Sequence, residues 1–314
     1  MTRIVLRRIA IAVPLLLLVS FAVFALTAVS PTDPARAILG DGATPAAVAG
    51  LRQQLGLNAP LLVRFWDWLV DLCHGSLGTS WFGNQPVTTK IVQGLPVTLA
   101  LVIPSLLLSA SVALPLGLYT GLRAGGRADR AVRAAAGIGL AVPEFWVGLM
   151  LVLLLSQRLH VLPGTGTTTF GPDIAANVRG LVLPVIALSL PQICALLRMT
   201  RASAAEVAEH DFIRTARAAG ESDRRLLWTH LAKNALVPSV ALLGLQLGRM
   251  IGVAAVVESV FGMHGLGSTA VQAALSSDLP VVLGVVLVTA TVVMAANLLA
   301  DLGCYALAPR TRDS

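Results

Sequence analysis

Few side chains in this 314-residue chain are placed to do chemistry. There is no G-x-x-x-x-G-K-[ST], and neither Lys90 nor Lys233 follows a glycine, so no lysine-bearing phosphate cradle is available. H-E-x-x-H and G-x-S-x-G are missing too, which leaves no metalloprotease or hydrolase signature. Cys73, Cys194 and Cys304 lie far apart without a C-x-x-C pair, and His74, His160 and His264 stand isolated, so neither a disulfide nor a metal site is expected. Two ionisable residues do interrupt apolar runs, Glu144 and Arg249. A charge at that depth is costly and is turned toward an aqueous path or a partner. The residues leave three readings open: one or both line a translocation path or a subunit interface, or they form a structural pair, or Glu144 is simply protonated. Gly244, Gly248 and Gly252 recur every fourth residue and allow another helix to approach closely, with packing between subunits preferred to packing within one.

The longest polar stretch runs from Arg198 to Pro238, RMTRASAAEVAEHDFIRTARAAGESDRRLLWTHLAKNALVP. Its alanines favour helix, and Gly220 stands where a helix closes on a left-handed residue. Ser222 offers a cap for a second helix, with Asp223 in its first turn. Leu226, Leu227, His230, Leu231 and Ala235 then recur at helical spacing, against Arg224, Arg225 and Lys233 on the other face. Two short helices meeting at a glycine corner suit a docking element better than an inert linker.

The elements that hold this stretch are apolar. Mean hydropathy is +0.80, and 56% of residues are hydrophobic against 12% charged, the composition of an all-α polytopic membrane protein. Apolar runs predict six transmembrane helices: Ile9 to Val29, Leu95 to Leu118, Ala134 to Ser156, Leu181 to Leu197, Ser239 to Val257 and Pro280 to Leu302. The first could be a cleaved signal peptide, but it is long and more spans follow, so it is taken as a helix. Pro143 and Glu144 fall near the middle of the third. Between the first two spans, residues 30–94 form a polar cap with a helix starting at Thr44-Pro45 and stopping near Gly56, and another after Pro60. Trp66, Trp68 and Trp81 place that second helix at the membrane–water interface.

Net charge is +7, and the arginines gather at the N-terminus, after the second and fourth spans, and in the tail at Arg310 and Arg312. By the positive-inside rule these segments are cytoplasmic, with both termini. A positive charge spread over one membrane face, without stacking aromatics, also argues against nucleic acid. The connector from Glu258 to Leu279 has no Lys or Arg and faces the other side.

RTARAAG, the amphipathic helix after it and NALVP together resemble the EAA loop of permease subunits of binding-protein-dependent ABC importers, in the dipeptide, oligopeptide and nickel permease branch. Arg214, Thr215 and Ala216 stand where the motif has Glu-Ala-Ala, and Gly220 matches its glycine. Arg replaces Glu, and the gap from Gly220 to Pro238 is longer than in the general pattern. Asp33-Pro34, LGLNAP, HGSLGTS, VPEFWVGL, LHVLPGTG, VVESVFGMHGLG, SDLPVV and NLLADLGCYALAPR resemble segments of the same branch in the same order, so the likeness covers nearly the whole chain.

The resemblance implies a type I ABC importer permease fold: an N-terminal segment and first span at 1–29, an extracytoplasmic cap at 30–94, a permease core at 95–305 with its coupling loop at 198–238, and a cytoplasmic tail at 306–314. It implies a heterodimer with a second homologous permease in the lipid bilayer of the cytoplasmic membrane, two cytoplasmic ATPase subunits and an extracytoplasmic solute-binding protein. Phe212, Arg214, Thr215, Ala216, Arg217, Gly220, Arg224 and Arg225 would couple the chain to an ATPase. The chain would be no enzyme and bind no cofactor, ATP and Mg being held by the ATPases. Small peptides are the implied cargo, with nickel complexes or glutathione as alternatives. An ion-coupled secondary carrier is the reading from another class, and it predicts broken helices at matching positions of two halves, which Pro143 and Pro191 do not occupy.

Overall fold

The structure is a computed structural model that describes residues 2–29, 33–40, 42–166 and 173–307. The tail arginines Arg310 and Arg312 lie outside the described residues, as does the side chain of Cys304. Among the described residues the regular structure is helical, apart from an isolated antiparallel bridge between Thr79 and Pro86.

One compact unit holds residues 1–98 and 264–294. It contains α1 (Thr2–Val29), α2 (Pro34–Leu39), α3 (Pro45–Gln54), α4 (Leu61–Cys73) and the start of α5 (Val87–Leu122). Thr44 caps α3 as its position predicts, its Oγ1 accepting from the Ala47 N–H at 3.3 Å, and Gly56 follows at φ 66°. The amphipathic α4 sets Phe65 edge-on against Phe21 and Phe24 of α1, at 5.2 and 5.6 Å between ring centroids, and leaves Trp66 exposed. At the other end of the unit, α13 (Leu266–Leu275) precedes α14 (Leu279–Leu307). Buried Asp278, just ahead of α14, accepts from the Ser80 hydroxyl and from the Trp81 N–H at 3.1 Å, while Lys90 Nζ donates to Ser80 at 3.2 Å. The Thr98 hydroxyl oxygen accepts from the Leu266 N–H at 2.8 Å.

The second unit holds residues 99–263 and 295–314. Its helices are the rest of α5, α6 (Arg127–Ala141), α7 (Glu144–Leu151), α8 (Ile174–Ala208), α9 (Asp211–Ala218), α10 (Asp223–Arg225), α11 (Ala232–Ala235), α12 (Val237–Val260) and the end of α14. Wider π-type turns extend α7 over Val152–Arg158 and join α10 to α11 over Leu226–Leu231. Hydroxyls and amides stitch its long helices where apolar side chains alone cannot set depth. Ser105 and Ser109 of α5 reach the Val185 and Ser189 carbonyls of α8, Thr200 meets Ser239 at 2.9 Å, and Gln246 Nε2 donates to the Gln192 carbonyl at 3.0 Å.

Among the described residues four helices are long and apolar enough to cross a membrane, α5, α8, α12 and α14, and α6 with α7 and its π-type extension adds a fifth if that bent pair is counted as one span. The apolar part of α1 among the described residues, Ala10–Leu26, is shorter. The expected third span is not one helix: it breaks at Val142 and Pro143, and its two halves are bent by 96°. Proline lacks the N–H and disfavours helical geometry in the residue before it, so α6 must stop there. Glu144 consequently opens α7, where a carboxylate faces free backbone N–H groups. The helices also outrun their apolar cores. At 1.5 Å per residue the 35 residues of α8 reach about 52 Å, well beyond a hydrocarbon core of about 30 Å. Arg198 to Ala208 is therefore the protruding end of α8 rather than loop.

Candidate functional site

The chain leaves α8 through a turn at Glu209 and His210 and enters α9, an eight-residue helix with one buried side chain. Ile213, fully buried, packs with Leu118 and Leu122 of α5, Ala204 of α8, and Leu227 and Leu231 of the following π-type stretch. The remaining positions look outward. Phe212, Arg214, Thr215 and Arg217 are exposed, and Ala216 is half-buried. Arg214 lies 3.8 Å from Asp211 one turn earlier, and the Thr215 hydroxyl donates to the Asp211 carbonyl at 2.9 Å. The result is a short helix anchored on one side and presenting an aromatic and basic face on the other.

Gly220 closes α9 as its position predicts. Its φ is +83°, its N–H donates to the Arg217 carbonyl at 3.1 Å, and the Glu221 N–H donates to the Ala216 carbonyl at 3.2 Å. These two bonds make a Schellman motif, and although the space around Gly220 is open, its left-handed backbone would strain any residue with a Cβ. Ser222 takes the N-cap position of α10 but its hydroxyl makes no capping bond; its carbonyl instead accepts from Arg225 and Leu226. The second helix buries Leu226, Leu227, Leu231 and Ala235, and exposes Arg224, Arg225 and Lys233. His230, expected on the apolar face, is half-buried because its Nε2 lies 3.1 Å from the Glu221 carboxylate.

Two ion pairs that no motif announces brace this region: one ties the loop to the end of α5, the other ties the protruding end of α8 to the first turn of α6. Arg123 holds Asp223 with Nη2 at 2.7 Å, and the contact pushes the guanidinium above its usual range. Arg123 also donates to the Tyr119 hydroxyl at 2.7 Å and stacks over that ring. Asp129 is the stronger anchor. Its carboxylate is wholly buried and takes a bidentate pair of bonds from Arg201 of α8, at 2.7 and 2.8 Å. The Gly125 N–H adds a third bond at 2.9 Å, and Arg133 stands 3.6 Å away. The signal in the sequence was one acid, Asp129, among four arginines of a single connector; its partner, 72 residues away, gave none.

The remaining expected residues are spread along the spans. Half-buried Glu144 and exposed Arg249 are not joined by an ion pair. Gly244 faces Ala300 of α14 so closely that a Cβ would collide, Gly252 has open space within 4 Å, and Gly248 is half-buried. Comparable approaches, with backbone of the neighbouring helix also close, occur where no repeat pointed, at Gly117 and Gly121 of α5. A Cβ on Gly121 would meet Ala204 and would stand 2.8 Å from the Arg201 carbonyl.

Residues 113–313 match the family described as the binding-protein-dependent transport system inner membrane component, and residues 1–102 match the N-terminal part of the same class of membrane component. A Brucella abortus protein named as a candidate peptide transport system permease is 39% identical, with 99% of each chain covered. The oligopeptide transport system permease protein AppB of Bacillus subtilis is 32% identical over 98% of each chain, and the dipeptide transport system permease protein DppB of Escherichia coli is 31% identical over 99% of each. Among solved structures, an inward-facing form of the MetNI methionine ABC transporter superposes with a TM-score of 0.56 at 19% identity, covering 69% of this chain and 96% of that one. With the loop geometry and the ordered match from end to end, the chain belongs to the inner membrane components of binding-protein-dependent transport systems, the permease subunits of ABC importers with the type I fold.

Proposed function

We propose that this chain forms, with a second similar permease, the path by which an ATP-driven importer moves short peptides across the cytoplasmic membrane. The cargo assignment rests on relatives named as dipeptide and oligopeptide permeases that align over nearly its full length. In this reading the Arg198–Pro238 loop and both termini are cytoplasmic, as the distribution of arginine supports. Two ATPases there bind ATP and Mg, and an extracytoplasmic binding protein delivers the peptide. Glu144 and Arg249, unpaired with each other in this conformation, line the path or the interface with the second permease.

The observation that carries the reading is the one-sided anchoring of α9. Ile213 fixes the helix in its own subunit, and Phe212, Arg214, Thr215 and Arg217 are left for an ATPase surface. Reversing two exposed charges, Arg214→Glu with Arg217→Glu, leaves the fold alone and is expected to abolish retention of the ATPases and dipeptide uptake together, while membrane insertion is unchanged. Undiminished uptake in that variant, or uptake that persists on a proton gradient after loss of the ATPases, would overturn the assignment. Glu144→Gln tests the path: normal assembly with normal uptake would remove Glu144 from it.

A further inference from the structure

A groove of about 360 Å³ opens where α5 ends, between that helix and the π-type turns that follow α10. Pro115, Tyr119 and Leu122 form one wall, Trp228 the other, and Arg123 and Arg224 stand at the rim. We propose that this groove seats an anionic phospholipid, its headgroup on Arg224 and one acyl chain between Trp228 and α5.

Three features of the groove select that occupant. The first is depth. The 36 residues of α5 outlast the hydrocarbon core, so its last turns rise into the headgroup layer, and Tyr119 and Trp228, 41% and 52% exposed, are the aromatic types that settle there. The second is charge. Arg123 and Asp223 neutralise each other at 2.7 Å, whereas exposed Arg224 has no carboxylate partner among the described residues. One unspent positive charge therefore remains at the rim, facing what would be a lipid phosphate. The third is continuity. Pro104, Leu108, Val112 and Leu116, exposed or half-exposed at four-residue spacing, form an apolar strip on the face of α5 that carries Tyr119 and lead into the groove past Pro115, the length and character an acyl chain requires. A soluble peptide or nucleotide would match the rim and leave the strip uncovered.

The inference requires that the chain sits in a membrane and that Arg224, which the family resemblance would give to an ATPase, is left to the lipid; it stands apart from the proposed cargo. The test uses the full-length chain purified with its own partners into nanodiscs, where both faces are accessible. Acyl-brominated phosphatidylglycerol and phosphatidylcholine are titrated in turn, and the quenching lost in Trp228→Phe isolates one indole from the rest. Wild type is expected to prefer the anionic lipid about fivefold, the contribution of one arginine beside an anionic surface. Arg224→Gln should bring the preference to near unity and Arg224→Lys should keep it, since a point charge suffices for a headgroup. Equal quenching by both lipids in wild type would overturn the proposal. So would the absence of any Trp228-dependent component, which would mean that a partner protein covers the groove. Loss of the preference in inorganic phosphate, but not in chloride of equal ionic strength, would reduce the site to an anion contact and also overturn it.

Discussion

Replacing Asp129 by Asn is the most incisive perturbation of the site. The change keeps the side chain's volume and leaves an oxygen for the Gly125 N–H, but it removes the charge that Arg201 grips with two bonds of 2.7 and 2.8 Å. Breaking a fully buried pair from one side costs about 3–5 kcal/mol, because the surviving charge is stranded. Here the survivor is Arg201, whose side chain keeps 21% of its exposure, so water recovers part of the loss and about 2–3 kcal/mol is expected. Arg133, 3.6 Å away and 54% exposed, adds little. The opposite deletion, Arg201→Gln, should cost more, since it strands Asp129 at zero exposure.

Reversible unfolding by SDS titration in mixed micelles can close the double-mutant cycle. Asp129→Asn and Arg201→Gln together should be less damaging than the sum of the two, by about 2 kcal/mol. Additivity within about 0.5 kcal/mol would refute the reasoning, since the two side chains would then not be each other's partners in the folded protein.

Gly220→Val places a β-branched residue at a φ of +83° and should destabilise the corner by roughly 1 kcal/mol or more; measured as ATP hydrolysed per peptide moved, it should uncouple transport while the chain still inserts. Gly121→Ala drives a Cβ into Ala204 and the Arg201 carbonyl, which is backbone and cannot step aside, so about 1–3 kcal/mol is lost in the same titration. Gly137→Ala, with nothing within 4 Å in mid-helix, should be neutral or stabilising by about 0.5–1 kcal/mol, and a loss there would show that the packing around α6 is misassigned. Ser222→Ala should shift stability by under about 0.5 kcal/mol, because its hydroxyl caps nothing; a loss of a full cap's ~1 kcal/mol would contradict the geometry.

What could be read in advance were the features that depend on neighbours along the chain. The glycine corner at Gly220, the Thr44 cap, the apolar face of Leu226, Leu227 and Leu231, and the centres of the four spans carried by α5, α8, α12 and α14 all follow from periodicity and local backbone preference. Hydropathy reports where a helix lies in lipid, not where its hydrogen bonding stops: the alanines of Arg198 to Ala208 favour helix, as found, but nothing in the span ending at Leu197 told that the same helix runs on through them. Ser222 shows the limit of the local rule, since the right residue stands at the right position and its hydroxyl makes no cap. Asp129 with Arg201, and Gly121 with Ala204, were invisible for another reason. Each is decided by which faces of α5, α6 and α8 meet, and spacing within one helix carries no record of that.

Those long-range contacts converge on one short stretch of α8. Arg201 holds Asp129 at the start of α6, and its own carbonyl lies against Gly121 of α5; one turn on, Ala204 packs on Ile213 of α9. Beyond the glycine corner, Asp223 returns to Arg123 at the end of α5. A push on the exposed face of α9 is therefore passed to α5, α6 and α8, because the stretch is braced on both sides: Arg201 before it holds α6, and Asp223 after the corner holds the end of α5. Under the proposed function this is the property a coupling helix needs: closure of an ATPase moves α9, and the ion pairs oblige α5, α6 and α8 to follow. It also separates two defects. Loss of Asp129 should leave ATPase binding intact and weaken transmission, whereas reversal of Arg214 and Arg217 should abolish binding itself.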